Sequence, residues 1–486
     1  MITVKQKRID EDVFMAKRRE VLAAWPTGKD VDLEEAVAYQ KALPDSKRFY
    51  KILQNHHDNG RISLFPRQGT PLVEDEIRLI RSLNELGIHL LPLTTDSYTR
   101  NLQLERVEKG LGESARTGKP ALNGYPIINH GIKTNRRVVE ACDGALDPRS
   151  SRIGQGMVGE IAFASGMNAF PNSFFAWIAG YDKKATVEEC IESAQYTGRL
   201  AGYYADHGVI ITTDCHGWLP NFVVPMSVNM ATQIIECLIS AEQGVKSVFP
   251  QVNMQGCLAQ DLADMRALPK LMRRYLDRFG HGDVIIPGVF GSQSPLFPFP
   301  QEMGSAFGYI GYTAMTAALG GCDAVSVKTV DEAAGVPSMD SHRESYRAAQ
   351  WILGVWEGQE LAIDNEAIDQ EEAVATVEVT AILDRVLELG DGDIAVGTVK
   401  AVEAGVLDSP MSINIHAADK VLGVRDQNGA CRYLDFGNLP IPEDIKDFHR
   451  QKVAEREQAE GRKMDYYTSI EDFWAISKGR LKGLPS

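Results

Sequence analysis

Ala324-Val325-Ser326-Val327-Lys328 is the stretch whose reading decides the fold. It is short and largely apolar, with a lysine at its end. A strand that is apolar on both faces is covered on both faces, which is the condition of a parallel sheet flanked by helices. Val209–Thr213, Val245–Phe249 and Val284–Gly288 read the same way. Amphipathic segments separate these runs, so each strand is followed by a helix and then by another strand. Within Val73–Leu86, Ile77, Ile80 and Leu83 share an apolar stripe, and Gly87 stops the helix. Thr186-Val187-Glu188-Glu189 is a capping box that opens a helix running to about His207. From Arg61 to Gly358 roughly eight such units fit, near the ~250 residues of a (β/α)8 barrel. An open doubly wound sheet is the alternative. The segment 120–182 is the least legible.

The reading is therefore an α/β chain in three parts. Residues 1–55 form an N-terminal helical segment, 56–360 the TIM-type (β/α)8 barrel, and 361–486 a C-terminal α+β extension. In that extension Gln451–Lys463 is a charged helix on which Arg456 and Glu460 can pair at i,i+4.

The chain has 486 residues, 24% of them charged and 44% hydrophobic, an ordinary globular composition. A net charge of −15 argues against nucleic acid, whose phosphates need a basic surface. No apolar run approaches a membrane span, and the N-terminus has no apolar signal core. Seven cysteines at irregular spacing, without a Cys-x-x-Cys pair, suit free thiols in a reducing cytoplasm.

Arg67, Arg100 and Arg149 each lie just past an apolar run in the first third of the chain. Loops after barrel strands build the active site. Three guanidinium forks converging there suit a substrate with two carboxylates, because each fork holds a carboxylate bidentately. Taken singly, each is better explained as a surface arginine in a loop. Lys328 at a strand end, with Glu332 four residues on, is either a site lysine or half of a structural ion pair. Gly154-Gln155-Gly156-Met157-Val158-Gly159 matches the dinucleotide fingerprint. The polar, proline-containing segment before it is no buried strand, so a loop or helix start is the better reading than a nicotinamide site. Cys215 and His216 are neighbours whose side chains point apart in an extended segment, and so form no dyad.

Ordered matches run through most of the chain. They include Trp25-Pro26-Thr27-Gly28-Lys29, Asp96–Arg100, Leu122-Asn123-Gly124, Ala241–Lys246, Gly397-Thr398-Val399-Lys400-Ala401, Val424-Arg425-Asp426 and Phe436-Gly437-Asn438. On these the chain resembles the epsilon subunit of glutamate mutase, also called methylaspartate mutase, which depends on adenosylcobalamin. The resemblance implies a cytoplasmic barrel subunit that forms a homodimer within a heterotetramer. It also implies a radical interconversion of L-glutamate and 3-methylaspartate. The cobalt ligand would come from a small partner subunit carrying an Asp-x-His-x-x-Gly motif. This chain's nearest approach, Asp340-Ser341-His342-Arg343-Glu344-Ser345, ends in serine.

By the same resemblance, Arg67, Arg100, Arg149 and Tyr181 hold substrate. Gly69, Asn123, Gly180, Phe299, Lys328, Glu332 and Val336 hold the cofactor. The departures fall together. Ser150 stands where the family has histidine, Pro171 where it has the glutamate that meets the substrate ammonium, Trp177 where it has tyrosine, and Gly180 where it has proline. The carboxylate-holding half of the pocket is kept and the amine-holding half is rebuilt. Two further readings follow, a related mutase acting on a dicarboxylate whose 2-amino group is absent or altered, and a non-catalytic dicarboxylate-binding or regulatory paralogue.

Overall fold

The computed structural model describes residues 3–484 except 151–152, 220–221, 294–296, 335–337, 360, 362 and 364. Eight parallel strands alternate with helices in its first two thirds. They are β1 (Ser63–Phe65), β2 (Leu90–Thr94), β3 (Ala145–Arg149), β4 (Ala169–Pro171), β5 (Thr212–Cys215), β6 (Ser247–Met254), β7 (Phe290–Gln293) and β8 (Ala324–Ser326). Six form one curled sheet in the order β1-β8-β7-β6-β5-β4, and β2 and β3 form a second parallel pair. The last strand thus lies beside the first, with Ser63 in register with Ala324. An isolated parallel bridge from Gln68 to Leu93 reaches from just past β1 to β2.

The strands are short, so side chains rather than ladder length hold the sheet. Phe65, Leu90, Ala145, Ala169, Phe249, Phe290 and Ala324, from seven different strands, meet in one apolar cluster. The helix Phe49–Asp58 closes that end with Phe49, Ile52 and Leu53. Phe49 meets Phe65 and Phe249 edge-on, at centroid distances of 6.0 and 5.7 Å.

Local signals placed the helices well. Val73–Asn84 ends before Gly87, whose φ is +76°. Thr186 and Glu189 form the capping box of Val187–Asp206. The fingerprint glycines open the helix Gly156–Ala164 instead of a nucleotide loop. The strands are corrected. Val209 is not in β5, because its N–H caps the preceding helix at Tyr204 O. Val284–Gly288 is not a strand beyond the single bridge of Ile285 to Ser247. Pro287 has no N–H to give a ladder, and a Cβ on Gly288 would meet the Asp323 side chain at 2.6 Å. The strand begins only at Phe290.

After residue 365 come the helices Glu366–Leu389 and Ile394–Glu403, an antiparallel hairpin of β9 (Leu422–Arg425) and β10 (Cys431–Asp435), and the helices Glu443–Glu460 and Tyr466–Ala475. Arg456 pairs with Glu460 at 2.7 Å. Its main partner is Asp472, at 2.6 and 3.0 Å, and both side chains are fully buried. Asp472 also accepts the Arg425 and Gly483 N–H groups. All seven cysteines are free and buried. No helix among the described residues is long and apolar enough to cross a membrane.

Removing one partner of such a pair strands a buried charge. Asp472→Ala should therefore cost about 3–5 kcal/mol. Urea unfolding followed by tryptophan fluorescence checks this, and a loss below about 1 kcal/mol would show that water replaces the carboxylate.

Candidate active site

The site lies past the carboxyl ends of the strands. Arg67 follows β1 across Pro66, and Arg149 is the last residue of β3. Arg100 closes the short turn Ser97–Arg100, whose amino end Asp96 caps by accepting the Tyr98 and Thr99 N–H groups. Tyr181 ends the single π-turn Trp177–Tyr181. Two glycines allow this close layering. Gly69 has φ +153°, and a Cβ on Gly124 would meet Thr94 O at 2.6 Å.

Arg67, Arg100, Arg149 and Tyr181 line one cavity of about 80 Å³. At the ~30 Å³ a water occupies in the liquid, that is room for roughly three waters. Its apolar wall comes from Phe65, Leu219 and Phe290, and its polar wall from Thr94, His216, Gln251, Ser292 and Ser326.

Arg149 does not stand alone. Its Nη2 is 2.7 Å from Asp147 Oδ2, and its Nη1 contacts Asp214 Oδ2. The guanidinium also lies over the Phe65 ring, 4.9 Å from its centroid. Asp214 Oδ2 is 2.7 Å from His216 Nε2, and Arg149 Nη1 is 2.8 Å from that same nitrogen. Burial acts to raise both aspartates. Arg149 and His216 overcome it at Asp214, whose carboxyl falls below the ordinary range, while Asp147 stays above it. Burial, aided by Arg149 and Arg67, lowers the His216 imidazole against the pull of Asp214.

A second carboxylate holds the backbone around this set. Glu236, on the helix Ser227–Glu242, accepts the Phe175 N–H at 2.8 Å with one oxygen and the Gly217 N–H at 2.9 Å with the other. Ser173 Oγ accepts the His216 N–H at 2.7 Å. The segments before Tyr181 and after β5 are thereby tied together.

The other candidate positions divide. Ser150 is buried, and its hydroxyl has no partner among the described residues. Pro171 ends β4 in register with Asp214 on β5. Trp177 is fully buried in the main apolar core and is not among the described residues that line the cavity. Lys328 pairs with Glu332 at 3.4 Å, and its ammonium lies 5.8 Å from the Phe299 ring centroid. Asn123 Oδ1 accepts the Ser97 N–H. Open space surrounds the position where Gly180 would carry a Cβ. Val336 lies outside the described residues. His342, in the segment closest to Asp-x-His-x-x-Gly, is buried, and its Nδ1 is 2.9 Å from the Tyr346 hydroxyl.

Sequence reading missed Asp147, Asp214, His216 and Glu236. Period-2 alternation carried part of the signal. Asp147 and Arg149 share one face of β3, and Asp214 leads to His216 two residues on. Nothing local marks Glu236.

Burial pushes the Glu236 carboxyl up from 4.5 to about 8, against the pull of the two N–H groups. The folded value exceeds the unfolded one. Its contribution to stability is therefore complete below pH 4.5 and is lost as pH rises through about 8. Glu236→Gln should remove that loss. The unfolding free energy of the parent, from urea titration, should fall relative to the variant by roughly 2 kcal/mol or more between pH 5 and 9. Parallel pH profiles would sink this assignment.

The family model described as methylaspartate mutase E chain (MutE) matches residues 43–485. A glutamate mutase epsilon subunit from Treponema denticola is 37% identical over 99% of each chain. The one from Desulfitobacterium hafniense is 38% identical, again over 99% of each. That of Escherichia coli O157:H7 is 35% identical over 99% of this chain and 100% of its own. The chain belongs to the methylaspartate mutase E chain family.

Proposed function

We propose that this chain is the catalytic subunit of an adenosylcobalamin-dependent carbon-skeleton mutase whose substrate is a small dicarboxylate. The observation that carries the reading is the meeting of Arg67, Arg100 and Arg149 around one small cavity. The reaction in this reading is a radical interconversion of L-glutamate and 3-methylaspartate, which the relatives' name, glutamate mutase, and the family's, methylaspartate mutase, support. A second reading, a dicarboxylate altered at C2, draws support from the cavity wall, which among the described residues includes no acid.

The same reading takes the eight strands as one (β/α)8 barrel over residues 56–360, between the helical segment 1–55 and the extension 361–486. The β8–β1 pairing, the Gln68–Leu93 bridge and the seven-strand apolar cluster support it.

Each residue then has a task. The guanidinium forks hold both carboxylates, so the carbon fragment that migrates does so between fixed ends. Phe65, Leu219 and Phe290 keep water from a reactive intermediate. Residues after β7 and β8 and beside Tyr181 suit the group implied by the family. The Glu332 carboxylate and Lys328 ammonium can meet a ribose diol, Phe299 offers a ring face, and Gly180 leaves space. When bound, adenosylcobalamin supplies a carbon radical by homolysis of its cobalt–carbon bond. His342 is already bonded inside the protein, which supports the reading that a small partner subunit carrying Asp-x-His-x-x-Gly would supply the cobalt ligand.

Arg100→Lys keeps the charge and loses the fork. In the complex with the small subunit it should cost about 2–4 kcal/mol in kcat/KM, with thermal stability nearly unchanged. Arg149→Ala should also unfold the protein more easily, by about 3–5 kcal/mol, because it strands Asp147 and Asp214. Near-parental turnover with Arg100→Lys would refute the claw.

The chain alone should bind adenosylcobalamin weakly and leave its cobalt absorbance in the free, base-on form. Tight base-off binding without a partner would overturn the two-subunit reading.

A further inference from the structure

We propose that His216 reads the C2 substituent of the substrate, and that the group it accepts is a hydroxyl rather than an ammonium. The inference rests on the reading that the arginine cavity holds the two carboxylates of a small acid.

Charge comes first. Three guanidiniums line the cavity, and no acidic side chain among the described residues does. The neighbouring undescribed segments 151–152, 220–221, 294–296 and 335–337 contain no acidic residue in the sequence. The buried carboxylates Asp147 and Asp214 lie against Arg149, and neither is a wall of the cavity. An ammonium at C2 would face Arg67, Arg100 and an Arg149 already paired with Asp147 and Asp214, with no carboxylate of its own in contact. A desolvated charge without a partner is disfavoured, while a neutral substituent on the same dianion is not.

The second argument is the geometry of His216. Its Nε2 stands 2.7 Å from Asp214 Oδ2. An ionised carboxylate only accepts, and a bare nitrogen lone pair at that distance would oppose it. Nε2 therefore carries the hydrogen. Arg149 Nη1 lies close to the same nitrogen because both donors converge on one oxygen. The remaining polar atom of the ring, Nδ1, is then a lone-pair acceptor on a side chain that lines the cavity. Burial and the nearby arginines keep the ring neutral. A neutral acceptor satisfies an O–H donor. It supplies no counter-charge to an ammonium, and it finds no donor on an oxo or methylene group. Ser173 and Glu236 fix the backbone on either side of His216, so the ring is a placed group rather than a loose one.

The test is calorimetric titration of the purified chain with 2-hydroxyglutarate, L-glutamate, glutarate and 2-oxoglutarate, which needs neither cofactor nor partner. The expected order places 2-hydroxyglutarate first, above L-glutamate by about tenfold or more. His216→Phe should erase the preference, so that 2-hydroxyglutarate and glutarate bind alike. His216→Gln, which restores a donor and an acceptor, should recover part of the preference. L-glutamate binding as tightly as 2-hydroxyglutarate overturns the proposal from the parent protein alone, whatever the variants do. An equal weakening of all four ligands by His216→Phe also overturns it, because it marks a merely structural histidine. Failure of every dicarboxylate to bind refutes the arginine claw itself, and with it this inference. Binding of glutarate with no discrimination at C2 refutes only the inference.

Discussion

A guanidinium cannot be buried at the end of a parallel strand without carboxylates to receive it. Arg149 is that guanidinium here, and much of the site's form follows from it. Asp147 sits two residues earlier on the same face of β3, and Asp214 comes from β5, in register with Pro171 on β4. The arginine thus ties strands that are not sequence neighbours, while Phe65 of β1 lies beneath its plane. Ionising Asp214 orients His216, and the order runs outward from cation to carboxylate to imidazole to cavity.

The shortness of the strands explains why such devices are needed. Several strands have only three residues, too few for ladder hydrogen bonds to set the geometry of their carboxyl ends. At one end an aromatic and aliphatic cluster seals the sheet against the helix Phe49–Asp58. At the other, polar side chains from the strands and their loops organise a small space. Glu236 and Ser173 do with hydrogen bonds what Phe249 and Phe290 do with contact area. The division separates stability from chemistry along the strand axis, with packing below and charge above.

The C-terminal extension follows the same economy of buried charge. Arg432 bridges Glu371 and Asp426, and Arg456 meets Asp472. Both arginines are buried, so each holds one part of the extension to another only while its carboxylates are present.

The helices were legible because their signals are local. A cap such as Thr186, an apolar stripe and a terminal glycine all lie within a few residues of one another. The strands were less legible. β6 runs past Phe249 to Met254 through Gln251 and Asn253, polar residues that an apolar-run criterion discards. Pro287 and Gly288 broke a run that looked suitable by composition. The segment 120–182 hid two strands whose residues include Asp147, Pro148 and Pro171.

For the site, the chain by itself determined the residue types, three arginines past three apolar runs and a lysine with a glutamate four residues on. Each of those relations spans a short, readable stretch. Only the tertiary structure decided that the arginines share one cavity and that Trp177 packs into the core. It alone brought Asp214 and His216 to Arg149 across 65 and 67 residues of chain. The physical reason is the parallel sheet. It makes neighbours of strand ends separated by whole helices, and burial then selects which charges must meet.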